Sequence, residues 1–354
     1  MTQRHPVTGR SAWTPEDLDK DQAWQFKVTA EQAEDLNRAL ADVKRRGLAF
    51  SEITAEDFPL PTMKDLITGV QREIRDGRGI VTVNGIPTDH PYEDLERLYW
   101  GFCTHLGTGV TQNSETGLIH YITDGELAPQ DGARLLGKPR PSKLHVDLSD
   151  AVGLFCVKQA PDEPKSIVAS SMTVYNEILE HHPEYLPSLE EGFFWNRKGP
   201  SDNEKPHSEF RVPAWSEADG VVSCRFHTGW IRGGQEQAGL PLTDEEAAMF
   251  TSIEEISAAN AHAFSLNKGD IAFWNNYTTF HGRDGFAETD DESQKRVLLR
   301  IWFDLDDVRP FADEGRIRYG AVRHGQIGWT AAEVLSGRNK VPHQRDEEGV
   351  PVVG

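Results

Sequence analysis

Cysteine is scarce. Cys103, Cys156 and Cys224 are an odd, scattered set without a C-x-x-C motif. That argues against a disulfide framework and favours a reducing cytosol. The three read instead as small buried apolar residues. Long apolar runs are also missing. Mean hydropathy is -0.56, no stretch approaches a membrane span, and Met1-Thr2-Gln3-Arg4-His5-Pro6 has no apolar signal-peptide core. Positive charge is in short supply: 37 Lys and Arg against 57 Asp and Glu leave a net charge of -20. Nucleic acid and anionic membranes need clustered cations, so neither is an expected partner. The densest basic run, Lys44-Arg45-Arg46, closes a predicted helix and there complements its dipole.

What remains is ample for a core. The 354 residues, 37% of them hydrophobic, suit one large domain with extensions, or two domains. No internal repeat or low-complexity segment is present, and homo-oligomerisation stays open. Residues 1–28 are polar and acidic and read as a partly ordered arm. Residues 29–46 read as a helix, with Thr29 and Gln32 as a capping box, Leu36, Leu40 and Val43 as its stripe and Gly47 as its stop. Residues 63–76 and 92–106 read as further amphipathic helices, separated by a glycine-bounded strand at 79–85.

From about 110 to 142 the periodicity is weak, and so long a loop inside a domain reads as a lid. Short strand patterns then recur at 143–148, 152–158, 166–170, 222–227, 262–266, 270–274 and 296–303, with helical inserts at 174–190 and 243–258. Asn267-Lys268-Gly269-Asp270 reads as a hairpin turn. Many short strands with a few helices predict a mainly β fold with peripheral helices, a β-barrel or jelly roll. The expected organisation is an arm and helix over 1–62, the main domain over 63–312, and a C-terminal extension over 313–354.

Chemistry concentrates in Leu144-His145-Val146-Asp147-Leu148, taken with His281. In a strand, residues i and i+2 share a face, so His145 and Asp147 can share an ion. Two His and one carboxylate form the facial set of non-haem Fe(II) oxygenases, which leaves positions open for a co-substrate and oxygen. Two other His-x-acid triplets, His182-Pro183-Glu184 and His207-Ser208-Glu209, lack a strand pattern and read as solvated surface.

The segment from Arg296 to Phe303 is a strong strand signal, with Val297, Leu299, Ile301 and Phe303 on one apolar face. Arg296 and Arg300 lie on the other, about 13 Å apart, beside Leu298 and Trp302. Half-buried arginines need anionic partners. Protein carboxylates could serve; the sharper reading is ligand carboxylates held bidentately.

In this order, His145-x-Asp147, His281, Arg296 and Arg300 resemble the Fe(II)/2-oxoglutarate dioxygenases of the taurine dioxygenase and clavaminate synthase group. Gly269-Asp270-Ile271-Ala272-Phe273-Trp274-Asn275-Asn276, running to Thr279-Phe280-His281-Gly282-Arg283, resembles that group's distal-histidine block. The resemblance spans roughly 75–310 and implies a double-stranded β-helix, a cupin-like jelly-roll core. It implies Fe(II) on His145, Asp147 and His281, with 2-oxoglutarate and O2 as co-substrates. Arg296 would hold the distal carboxylate of 2-oxoglutarate. Ser166 would assist, although Pro164-Lys165 replaces the usual Gly-Asp before it. Arg300 would grip an anionic group of the substrate, and Asn113 would approach the pocket from the lid. Asp147 argues against halogenation, because halogenating relatives lack that carboxylate.

Arg225, His227, Trp230 and Arg232 could line a substrate entrance or pack a barrel edge. His120 and Tyr121, in the expected lid, could touch substrate. The expected function is a cytoplasmic oxygenase that removes a hydrogen from a small, anionic or amino-acid-like substrate, hydroxylating it with release of succinate and CO2. Two alternatives are a zinc hydrolase using the same His/Asp/His set and a non-catalytic cupin-like binder. Neither requires the arginine pair.

Overall fold

The computed structural model describes residues 4–112, 117–123, 135–136, 140–196, 206–208, 210–305, 309–310, 328–337, 344–345 and 351–352. In chain order the elements begin with α1 (Pro15–Lys20), β1 (Gln25–Lys27), α2 (Ala30–Arg45), α3 (Lys64–Arg75), β2 (Ile80–Asn84), α4 (Tyr92–Cys103), β3 (Thr108–Val110), β4 (Ile119–Ile122) and β5 (Leu135–Leu136). They continue with β6 (Ser142–His145), β7 (Ala151–Lys158), β8 (Ser166–Ser170), α5 (Ser171–His181), α6 (Leu186–Glu191), β9 (Trp215–Ala218) and β10 (Val221–Cys224). Then come α7 (Thr228–Gln237), α8 (Asp244–Ala259), β11 (Ala261–Phe264), β12 (Ile271–Asn275), β13 (Thr279–Arg283), β14 (Val297–Asp304) and α9 (Ala331–Leu335).

Two sheets make the core. The larger runs β1-β2-β12-β7-β14-β4-β5, with β3 also on β14; the smaller runs β11-β8-β13-β6. Most pairings are antiparallel and most neighbours are far apart in sequence, which is the double-stranded β-helix arrangement. Strand alternation divides the buried side chains into two layers. Val297, Leu299, Ile301 and Phe303 of β14 join Ile271 and Phe273 of β12 in a cluster with α2, α3 and α4. Leu298 and Trp302, with Ala272 and Trp274, face the other way into a cluster with the small sheet and α5 to α8. The amphipathic reading of 296–303 thus holds on both faces.

Helix α2 begins as expected: the Thr29 side chain accepts from the Gln32 backbone N–H, and Gln32 returns the bond. The three cysteines are free and buried. No helix among the described residues is long and apolar enough to cross a membrane.

Several expectations need correction. The N-terminal arm packs onto the domain: Trp13, Leu18 and Trp24 are buried in the second cluster. The stretch expected to be lid is in part sheet: β4 pairs with β14, Leu298 opposite Ile122 through Ile301 opposite Ile119. Residues 113–116, 124–134 and 137–139, including Asn113, lie outside the described residues. The turn at 267–270 exists, with Gly269 at φ +91, but it is not a hairpin: β11 belongs to the small sheet and β12 to the large one. The insert at 174–190 is two helices interrupted at His182-Pro183, because proline cannot donate to the preceding turn. Helix α7 was not expected, its glycines having low helix propensity. Gly234 is there for contact: a Cβ would lie 2.3 Å from the Phe194 carbonyl oxygen. In the C-terminal extension, Thr330 bridges to Val110 of β3.

Candidate active site

The centre forms where β6 and β13 pair. His145 is the last residue of β6, and its Cα partner is His281 of β13. The register shifts between His281 and Arg283, a bulge of the kind that re-aims side chains beside active sites. The expected strand over 143–148 therefore stops at His145, and Asp147 lies in the loop beyond. The Asp147 N–H donates to Asn276 Oδ1 at 3.0 Å, and its Oδ2 accepts from Trp302 Nε1 at 3.1 Å. Ligand atoms of His145, Asp147 and His281 lie within 4.8 Å of one another and could hold a metal ion.

Electrostatics suit that use. Burial, then the neighbouring His281, pushes the His145 imidazole down to about 4, so it is neutral and has a lone pair to offer. Burial would raise Asp147, but Arg300, His281 and His145 outweigh it and hold the carboxyl well below its ordinary range. His145 Nδ1 contacts the Lys143 carbonyl at 2.7 Å, a bond that orients a ligating imidazole. His281 stacks on Trp274, centroids 5.2 Å apart.

The two arginines of β14 have different surroundings. Arg300 is already partnered: Nε donates to Gln112 Oε1 at 2.6 Å and Nη1 to Asp147 Oδ2 at 3.4 Å. Protein groups thus meet part of its charge. Its side chain keeps 18% exposure, so a face remains open to the site. Arg296 is 2% exposed, and its Nε and Nη2 have no hydrogen-bond partner. Burial pushes it down to about 10. A buried, unpaired guanidinium is costly and marks a missing anion.

The other expected residues fall as follows. Ser166, 4% exposed, opens β8 opposite Arg283, and Arg283 also lies close enough to perturb Arg296. His120, 2% exposed, pairs opposite Arg300, so the two share a face. His227 comes beside the triad, its ring 4.6 Å from that of His145 and 5.0 Å from that of Trp230. Arg225 is 1% exposed and stacks on Tyr277; it is buried, not at an entrance. His182 pairs with Glu184 at the surface. His207 is half-buried and bridged to Asn196, unlike the solvated loop expected, and Glu209 lies outside the described residues. Gln112, Asn276 and Trp302 support the site but carried no functional signal, because amide and indole side chains announce a role only once their partners are known. A separate cleft of about 420 Å³, lined by Arg4, Tyr175, Glu190, Trp215 and Glu217, shares no residue with the centre.

A jelly roll that brings two His and one carboxylate together and buries an arginine without a hydrogen-bond partner fits a non-haem metal oxygenase. The profile of the "Taurine catabolism dioxygenase TauD, TfdA family" matches residues 43–302, and the chain belongs to that family. It is an Fe(II)/2-oxoglutarate-dependent dioxygenase. It is similar to FR-33289 synthase of Streptomyces rubellomurinus (strain ATCC 31215), 25% identical over 87% of this chain and 93% of that protein. It is also similar to the taurine hydroxylase-like protein SAT17 of Stachybotrys chartarum (strain CBS 109288 / IBT 7711), 26% identical over 84% of this chain and 79% of that protein. Among solved structures, the non-heme iron oxygenase OrfP with Fe and alpha-ketoglutaric acid superposes with a TM-score of 0.58 at 15% identity, covering 79% of this chain and 93% of that one. An asparagine oxygenase with Fe(II), 3-hydroxyasparagine and succinate gives 0.58 at 14% identity, with the same coverage.

Proposed function

We propose that this oxygenase hydroxylates a small anionic or amino-acid-like substrate, with His145, Asp147 and His281 holding Fe(II) and Arg296 holding the distal carboxylate of 2-oxoglutarate. The observation that carries the reading is the buried Arg296 guanidinium without a hydrogen-bond partner, in a chain that also assembles a neutral-His/carboxylate set. Neither a hydrolytic zinc site nor a passive binder requires that charge. Solved relatives hold arginine-derived and asparagine-derived amino acids, which supports the substrate class.

When bound, Fe(II) with 2-oxoglutarate and O2 supplies the oxidising power that removes a substrate hydrogen. The chain supplies position. His145 and His281 present imidazole nitrogens, and Trp302 and Asn276 fix the angle of Asp147. Arg296 offers a charge-assisted fork to a carboxylate, and Ser166, whose strand partner Arg283 acts on Arg296, would assist. Arg300, tied to Gln112, presents the remainder of its fork to the substrate. Buried cysteines fit a reducing cytosol.

The test is anaerobic titration of the apo-protein with Fe(II) and 2-oxoglutarate. A visible charge-transfer band is expected in the wild type and not in His145→Ala. Absence of the band in the wild type, or its persistence in the variant, overturns the assignment.

A further inference from the structure

Arg225 is a second buried arginine without a hydrogen-bond partner. It is 1% exposed, and none of its Nε, Nη1 and Nη2 atoms has a hydrogen-bond partner. Its compensation is the face of Tyr277, 3.9 Å from the guanidinium carbon. Arginine cannot escape burial by losing its proton, and a π face offsets only part of the desolvation of a full charge. The surroundings add more positive charge: the Arg309 guanidinium carbon lies 5.2 Å from the same ring centroid. The Tyr277 hydroxyl is turned to Asp150 at 2.5 Å, so that carboxylate is engaged on the phenol.

The position matters as much as the charge. The Val146 N–H donates to the Phe226 carbonyl, and the His227 ring lies against that of His145. The stretch 225–227 therefore runs alongside 145–147. Phe226 and Cys224 are buried in the core cluster, while the Arg225 side chain lies on Tyr277, two residues from His227, which flanks the metal ligands. Tyr277 itself follows Asn276, whose side chain receives the Asp147 N–H.

We propose that Arg225 is a specificity-determining residue that binds an oxyanion of the substrate, a carboxylate, sulfonate or phosphate-type group, in a buried subsite beside the metal centre. This rests on the oxygenase reading and deepens it. Arg296 is assigned to the co-substrate and Arg300, tied to Gln112 and Asp147, offers the substrate only part of its fork, so Arg225 supplies a second, buried cation. A substrate with one oxyanion at this end and the reacting carbon near the metal is the expected ligand; neutral isosteres bind poorly.

The experiment uses the full chain loaded anaerobically with Fe(II) and 2-oxoglutarate, its charge-transfer band confirming that the centre is intact. Acetate, sulfate and inorganic phosphate are titrated as probes and thermal stability is recorded. At least one should raise the wild-type Tm saturably. In Arg225→Met the apparent Kd should weaken about 30-fold or more with the band unchanged, and Arg225→Lys should fall between. If Arg225→Met fails to fold, the comparison is made with Arg225→Lys, whose point charge should still lower affinity for planar oxyanions. No probe response in the wild type overturns the proposal. So does an equal response in wild type and the variant that folds, which would make Arg225 a packing cation. A missing band in the wild type faults the oxygenase centre instead, and the two failures are thereby distinct.

Discussion

At the scale of the residue, the site is governed by which charges are met within the protein. Asp147 is buried, yet three cationic or polar neighbours keep it anionic. Arg300 has Gln112 and Asp147. Arg296 has neither, so it should behave as a residue waiting for a ligand. Arg296→Met is expected to raise the 2-oxoglutarate requirement by about 100-fold or more, the loss of two bonds to a charged group, read as the KM for succinate release. The same change should stabilise the ligand-free chain by about 1 kcal/mol or more, because an uncompensated buried charge is removed. A melt showing the apo-variant less stable than the wild type would contradict the unpaired-charge reading. The identities of these residues were visible in the sequence; their partners were not, since Gln112 is separated from Arg300 by 188 positions.

At the scale of the element, the β6–β13 pairing sets the spacing of the two histidines. Gly282 sits at the bulge, and a Cβ there would lie 2.6 Å from the Ser142 carbonyl oxygen. Backbone cannot yield as a flexible side chain does, so Gly282→Ala should push the strands apart next to His281. Iron affinity is expected to drop about ten- to a hundredfold while far-ultraviolet circular dichroism stays native. Unchanged affinity would show that the bulge does not tune the centre. The strand of Arg296 to Phe303 was legible because alternation is local: each residue's face follows from its neighbour's. The β11–β12 link was misread for the converse reason. A Gly-containing turn specifies a reversal but not which sheet each arm joins, and here the arms part to β8 and β7.

At the scale of the molecule, the centre is coupled to folding through protons. His145 is held near 4 in the folded chain against an ordinary 6.5. Between those values the unfolded chain takes up a proton that the folded chain refuses, so stability rises with pH across the window and is lost on acidification. Asp147, depressed in the folded state, adds stability above about 3.8 that disappears below it. Apo-protein melts from pH 7 to pH 4 should therefore fall more steeply in the wild type than in His145→Asn. The difference is bounded by one proton, about 1.4 kcal/mol per pH unit; parallel curves would refute it. By itself the sequence determined what local chemistry can carry: alternating apolar faces, a capped helix, scarce cysteine, and a His-x-Asp with a distant His and arginines in order. Only the tertiary structure decided which charges find partners. It left Arg296 and Arg225 buried without them, supplied Gln112 to Arg300, and brought His227 against His145. Those outcomes depend on contacts between segments remote in the chain, which periodicity and propensity do not encode.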